Sequence, residues 1–196
     1  MDFTDVVRRR RMVRNYLDEP VDEDVLQRIV ATARRAPSAG FTQGQYFVVV
    51  TDPAVRKAIA GLGQEERYVA AGLPPWMSSA PAHVVVCVSE ADYHERYREP
   101  DKLTDKGEEM EWPIPYWWVD AGAALMLLLL ATVDAGLSAG FFGIRRLSGL
   151  KELLGIPEGV TPIGVVTIGH AAPEQPASSA RRGWKAIDEA VRWEHW

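Results

Sequence analysis

The run Arg8-Arg9-Arg10-Arg11-Met12-Val13-Arg14 puts five guanidinium groups within seven residues. At that density the charges repel one another unless an anion gathers them. Planar guanidinium forks suit a phosphate monoester, which carries about −1.5 to −2 charges. A solvated helix end or a basic localisation run accounts for the same residues. A second stretch, Ala36-Pro37-Ser38-Ala39-Gly40-Phe41-Thr42-Gln43, has small residues that let backbone approach a flat ligand. Ser38 and Gln43 add hydrogen-bonding groups, although on these residues alone a plain helix-to-strand connection is the favoured reading. In the third, Gly136 to Ile144, glycines around Phe141 and Phe142 can expose backbone N–H groups beside a ring system, or simply make a tight turn.

These groups need elements to hold them. A helix opening near Asp2 to Thr4 runs into the arginines. A second has Asp22 as N-cap, acidic Glu23 and Asp24 at the positive end of its dipole, and Val21 placed to staple onto Leu26. Its Val25, Leu26, Ile29, Val30 and Ala33 share one face, and Pro37 limits its end. Three near-continuous apolar runs, Tyr46 to Val50, Ala82 to Val88 and Pro162 to Ile168, read as central strands covered on both faces. Thr51-Asp52-Pro53 caps a helix reaching Leu62, and Ser148 caps another over Gly149 to Leu154, stopped by Gly155 and Pro157. The apolar run Val119 to Val133 would span about 22 Å as a helix, against roughly 30 Å of bilayer core, which makes it a buried helix. Helices outnumber strands, so the fold class is α+β or α/β with a small sheet inside helices.

Composition narrows the function. The 196 residues suit one domain, residues 1–196, and the formal charge of −5 argues against a general nucleic-acid binder. One cysteine, Cys87, excludes an internal disulfide. The N-terminus has no apolar stretch of signal-peptide length, so a cytoplasmic protein with no membrane partner is expected. His83, His94, His170 and His195 lack metal-ligand spacing, which gives an expectation of no metal. Gly61-Leu62-Gly63 lacks the context of a dinucleotide fingerprint, and Ser38 has no nucleophile elbow. Two segments fit a compact unit poorly. Residues 89–115 form a long charged stretch with little periodicity, read as a lid insertion. The tail from 183 to 196 carries Ile187, Val191, Trp193 and Trp196, too apolar to stay in solvent.

The three chemical segments, in this order, resemble the nitroreductase family of FMN-dependent oxidoreductases. The likeness runs through Arg10-Arg11-Met12-Val13-Arg14-Asn15-Tyr16, Pro20-Val21 to Leu26 and the Ala-Pro-Ser loop. It continues through Ala135-Gly136-Leu137 and the glycine-rich turn, Leu153 to Val160, Pro162 to Gly169, and Arg181-Arg182-Gly183 to Trp196. The resemblance implies a nitroreductase-like three-layer α-β-α sandwich, homodimeric, with two flavins at the interface and a C-terminal dimer arm at 183–196. It implies that Arg10, Arg11 and Arg14, with the contact region of Met12, hold the FMN phosphate and ribityl oxygens. Arg182, with Arg181, would reach the same phosphate. Pro37, Ser38 and Ala39 would line the flavin, and backbone near Phe142 and Gly143 would meet flavin N5. No catalytic side chain is assigned, since hydride passes directly to N5 from NADH or NADPH.

Three departures from the family pattern bear on the acceptor. Met12 replaces a usual Ser, Phe41 stands where Asn is common with Gly44-Gln45 where Pro-Trp is, and Trp184 falls where a second basic residue is frequent. The expected reaction passes hydride to a nitroaromatic, quinone or similar planar acceptor. Phe41 is similar to the flavin-fragmenting branch that makes the cobalamin base 5,6-dimethylbenzimidazole, which is one alternative. A non-enzymatic flavin-binding protein is another. Selectivity is expected in the lid, with Tyr93 and Tyr97 on one helical face and Trp112 beside them. The competing reading has Tyr97 and Trp112 pinning the segment to the body.

Overall fold

The computed structural model describes residues 1–173 and 182–196. Four strands, β1 (Gln45–Val50), β2 (Ala82–Ser89), β3 (Ser138–Phe142) and β4 (Val160–Gly169), form one sheet in the order β1-β2-β4-β3, antiparallel throughout. The helices are α1 (Phe3–Arg9), α2 (Glu23–Ala33), α3 (Pro53–Leu62), α4 (Glu65–Ala70), α5 (Trp76–Ser79), α6 (Glu90–Tyr97), α7 (Tyr116–Asp134), α8 (Leu147–Leu154) and α9 (Ile187–Ala190).

Strand β2 explains the layering. Its side chains alternate, as a pleated strand requires. Val85 and Cys87 join a core with Ile59, Met77 and Leu150 of α3, α5 and α8, while Ala82, Val84 and Val86 join Leu26, Ile29 and Leu128 of α2 and α7. Helices therefore cover both faces of a small sheet, and the fold is the α+β, three-layer arrangement expected. Burial pushes the Cys87 thiol up to about 12, so it stays an inert core group.

Local chemistry sets most boundaries. Asp52 accepts the Val55 N–H at 2.9 Å with Pro53 in the first turn of α3, and Gly155 ends α8 in the left-handed conformation. Helix α2 buries Leu26, Ile29 and Ala33, and Asp22 holds its N-cap position without a side-chain bond. Three expectations are corrected. Ser148 does not cap α8: the helix starts a residue earlier, at Leu147, with Arg146 at the cap position. Strand β1 is an edge strand with Tyr46 and Val49 exposed, not a central one. The glycine-rich run after α7 is strand β3 rather than a turn, because β4 supplies its hydrogen-bonding partner from far along the chain.

Helix α7 starts three residues before the apolar run and is long and apolar enough to cross a membrane, yet half of that window is buried. It packs on all four strands, burying Ala124, Leu128 and Leu129, and leaves Trp118, Val119 and Met126 exposed. The tail from Arg182 to Trp196 is exposed throughout. Most of the Ala171 to Ser179 connector, read from its Ala/Pro/Ser composition, lies outside the described residues.

His83 lies inside the sheet with its ring Nε2 2.7 Å from the Met77 carbonyl, and burial holds its pKa down at about 4. The unfolded chain titrates near 6.5, so between these values unfolding takes up a proton. Stability from this group is therefore complete above pH 6.5 and falls as pH drops toward 4, by at most about 1.4 kcal/mol per pH unit. Urea titrations at pH 7 and pH 5 should show His83→Gln with a shallower pH slope than wild type. Parallel slopes would assign the acid sensitivity elsewhere.

Candidate functional site

The arginine run begins inside α1, where Asp2 accepts the Thr4 N–H and Arg8 and Arg9 meet the negative end of the helix dipole. Past the C-cap at Arg10, the chain extends along the open edge of β3. Met12 bridges to Ala139, and the Val13 N–H donates to the Ala139 carbonyl at 2.9 Å. Gly140 permits this approach: a Cβ there would lie 2.5 Å from the Val13 carbonyl and 2.7 Å from Thr167 Oγ1. The Tyr16 hydroxyl lies 2.7 Å from the same Thr167 Oγ1, which also accepts the Gly140 N–H at 3.1 Å. The cation-bearing segment is thus fastened to the sheet on both sides of Val13.

Arg14 lies over the Trp76 ring, 5.8 Å from its centroid. Trp76 in turn packs edge-on against Phe142 at 5.5 Å and Tyr68 at 6.0 Å. Beside this stack opens a cleft of about 350 Å³ lined by Gly63, Gln64, Arg67, Tyr68, Gly143 and Arg145, among others. Gly143 is exposed just past the end of β3, and a Cβ there would meet nothing within 4 Å, so its backbone is accessible. Arg9 and Arg11 line a separate, smaller cavity of about 200 Å³ with Ser138 and Ala139. Phe142 itself is buried beneath the stack. Arg182 is exposed at the start of the tail, and Arg181 lies outside the described residues.

The Pro37–Ala39 loop leads into β1, whereas the arginines and Gly143 lie by β3. These are opposite edges of the sheet, three strand spacings or on the order of 15 Å apart. One chain therefore does not bring the two halves of the sequence-predicted set together. The loop has its own supports. Ser38 Oγ accepts the Gln43 N–H at 2.8 Å, Thr42 Oγ1 donates to the Ala39 carbonyl at 2.6 Å, and the Ala39 N–H donates to Asp120 Oδ2 at 2.8 Å.

Residues 90–115 begin with α6, capped by Ser89. Tyr93 is buried there, with its hydroxyl donating to Asp120 at 2.9 Å, and Tyr97 packs on Trp112 with ring centroids 4.5 Å apart. Glu109 ties the segment down, accepting from Trp112 Nε1 at 2.8 Å, from Arg98 at 2.9 Å, and pairing with His94. Burial, the largest influence, pushes the Glu109 carboxyl up, but the hydrogen bonds from His94 and Trp112 and the nearby charges bring it net below the ordinary range. Gln64, Arg67, Tyr68 and Arg145 were not legible as site residues, since they come from a short helix and a loop without a motif. Asp120 was visible only as a break in an apolar run.

A cleft with two arginines, no acidic lining residue among the described residues and an open glycine backbone fits a planar, phosphate-bearing group. The indole N–H of Trp76, which packs on the lining residue Tyr68, is buried and has no hydrogen-bond partner among the described residues. The chain belongs to the nitroreductase family, whose model matches residues 7–170. It is similar to the NADH dehydrogenase of Thermus thermophilus, 30% identical over 187 residues, which cover 89% of each chain. It is also similar to the FMN reductase (NAD(P)H) of Bacillus subtilis, 30% identical over 183 residues, 91% of this chain and 69% of that one. The nitroreductase family protein of Streptococcus pneumoniae TIGR4 shares the fold, with a TM-score of 0.74 at 20% identity over 98% of this chain and 100% of that one. The protein is an FMN-dependent oxidoreductase that uses NAD(P)H.

Proposed function

We propose that this enzyme passes hydride from NADH or NADPH through FMN to a nitroaromatic, quinone or similar planar acceptor, as a cytoplasmic homodimer. FMN, when bound, supplies the hydride-accepting and hydride-donating N5, so the chain needs no side chain that carries the electrons. Arg10, Arg11 and Arg14, the region of Met12, and Arg181 and Arg182 from the tail would hold the phosphate and ribityl end. Arg67 and Arg145 would add positive charge from the cleft beside Tyr68. Backbone near Phe142 and Gly143 would donate toward N5, and Pro37, Ser38 and Ala39 would line the ring. Because the last three leave from the opposite sheet edge, a second copy supplies them most simply.

The single observation that supports this reading best is the fastening of the arginine segment to β3 beside Gly143 and Arg145. That fastening, which a merely solvated basic run would not need, supports a phosphate-binding role for these cations near the accessible backbone at Gly143. Tyr97 and Trp112, stacked beside the loop, are the side chains of residues 89–115 we assign to acceptor selectivity, with Tyr93 anchoring them from within.

Purified protein should carry, or take up, FMN in preference to FAD and show flavin absorbance. NADH or NADPH should bleach that band under anaerobic conditions, and a nitroaromatic or quinone should restore it. Bleaching followed by ring fragmentation in air would move the assignment to the cobalamin-base branch. Binding without bleaching by either nucleotide would leave only a flavin-binding role.

A further inference from the structure

Helix α7 runs 19 residues with two acidic groups, Asp134 at its last position and Asp120 well inside it, the latter only 7% exposed. Its neighbours are apolar: Val88, Tyr93, Trp117 and Ala121 form the surrounding cluster. Burying a carboxylate there is costly unless donors replace the lost water. Two donors do so on a single oxygen. Oδ2 accepts the Ala39 N–H at 2.8 Å and the Tyr93 hydroxyl at 2.9 Å. One atom thereby joins three parts of the chain: the 37–43 loop, α6 and α7.

The loop it joins is strained. Gly40, Phe41 and Gln43 have φ of 63°, 58° and 57°, so two non-glycine residues occupy the left-handed region within three positions. For a non-glycine residue such a conformation is costly and persists only where the surroundings over-determine it. Helix α6 supplies much of the surrounding. Arg96 Nε donates to the Gly40 carbonyl at 2.9 Å, and the Tyr97 ring sits so near that a Cβ on Gly40 would lie 2.7 Å from it. The Tyr93 ring presses equally close on Gly44. The outcome of this bracing is an aromatic ring in solvent: Phe41 is 76% exposed, two residues from Ala39.

We propose that Asp120 is a positioning residue, fixing Ala39 and Tyr93 on one carboxylate oxygen so that α6 sets the loop geometry that presents Phe41 to the acceptor. Helix α6 is then a buttress for the loop. Residues 90–97 influence acceptor choice through the backbone of residues 37–43 rather than by covering a bound molecule. The proposal rests on the reading that this loop lines the flavin.

The test compares Asp120→Asn, Tyr93→Phe and Phe41→Ala in the full-length chain. Amide hydrogen exchange is read by mass spectrometry without added flavin, followed by visible circular dichroism with FMN and by kcat and KM for one quinone. Asp120→Asn should raise exchange about tenfold in residues 37–43 and leave β2 and α2 at wild-type rates. Tyr93→Phe, which keeps the ring packed, should raise it in the same residues by a smaller factor. Both should alter the flavin dichroism and raise KM for the quinone about three- to tenfold, with kcat within about twofold. Phe41→Ala should reproduce the KM change with exchange no higher than Tyr93→Phe shows. Wild-type exchange in residues 37–43 of both Asp120→Asn and Tyr93→Phe would overturn the proposal, as would a rise spread evenly over the whole chain. If wild type binds no FMN, the functional reading fails, while the exchange measurement still decides whether Asp120 positions the loop.

Discussion

Replacing Arg10 and Arg14 together by alanine is expected to weaken FMN binding by about 100-fold or more while the fold survives. A charge-assisted hydrogen bond contributes about 1.5–3 kcal/mol, and each 1.4 kcal/mol is tenfold in affinity. Each arginine alone should therefore account for about one to two powers of ten. The structure indicates why the fold should tolerate the change. What fastens this segment is backbone: Val13 N–H to Ala139, Leu17 N–H to His170, and the Arg10 N–H closing α1 on Val6. Arg14→Lys is the informative companion. It keeps the charge but loses the planar fork and the stacking over Trp76, so it should recover part of the affinity. Fluorescence titration of apoprotein with FMN measures all three, and riboflavin is the control. Riboflavin lacks the phosphate, so its affinity should be low and nearly unchanged by the substitutions. Equal FMN affinity in wild type and the double variant would remove these arginines from the phosphate site.

What the sequence made legible follows from local physics. Helix α2 announced itself by apolar spacing and an acidic first turn, and α3 by Asp52 before Pro53, because both signals lie within a few residues. Strand β3 was hidden, since Ser-Ala-Gly-Phe-Phe has weak strand character and is held by β4 on one side and Met12–Val13 on the other. Residues 89–115 looked structureless for a similar reason. Their order comes from Glu109 gathering His94, Arg98 and Trp112, a hub that no periodicity betrays. Asp120 and Ala39 are 81 positions apart, and only the packed fold makes them partners. The division of the candidate residues between the β1 and β3 edges was likewise invisible, because the order of motifs along a chain says nothing about which sheet edge each will occupy.

That division leads to the second large effect, on assembly. Trp184, Trp193 and Trp196 are almost entirely exposed on one chain, Ile187 is 79% exposed, and α7 leaves Trp118, Val119 and Met126 in solvent. Aromatic side chains of this size bury about 150–250 Å² each when covered, which for the three tryptophans together is on the order of 10 kcal/mol or more at about 25 cal/mol per Å². A second copy is the simplest cover, and it would also bring a 37–43 loop to the arginine edge. We therefore expect a homodimer at micromolar concentration, with an interface above about 2,000 Å². Ending the chain after Arg182 should raise the dimer dissociation constant at least about 100-fold, since removing three buried tryptophans forfeits more than the 2.8 kcal/mol that factor represents. FMN affinity should fall in parallel, because each cofactor site would lose the half supplied by the other chain. Sedimentation velocity across a dilution series, with flavin absorbance followed in the same cells, reads mass and cofactor together. A truncated protein that stays dimeric and yellow would show that the tail is not the dimer arm. A wild-type chain that sediments as a flavin-loaded monomer would overturn the shared site altogether.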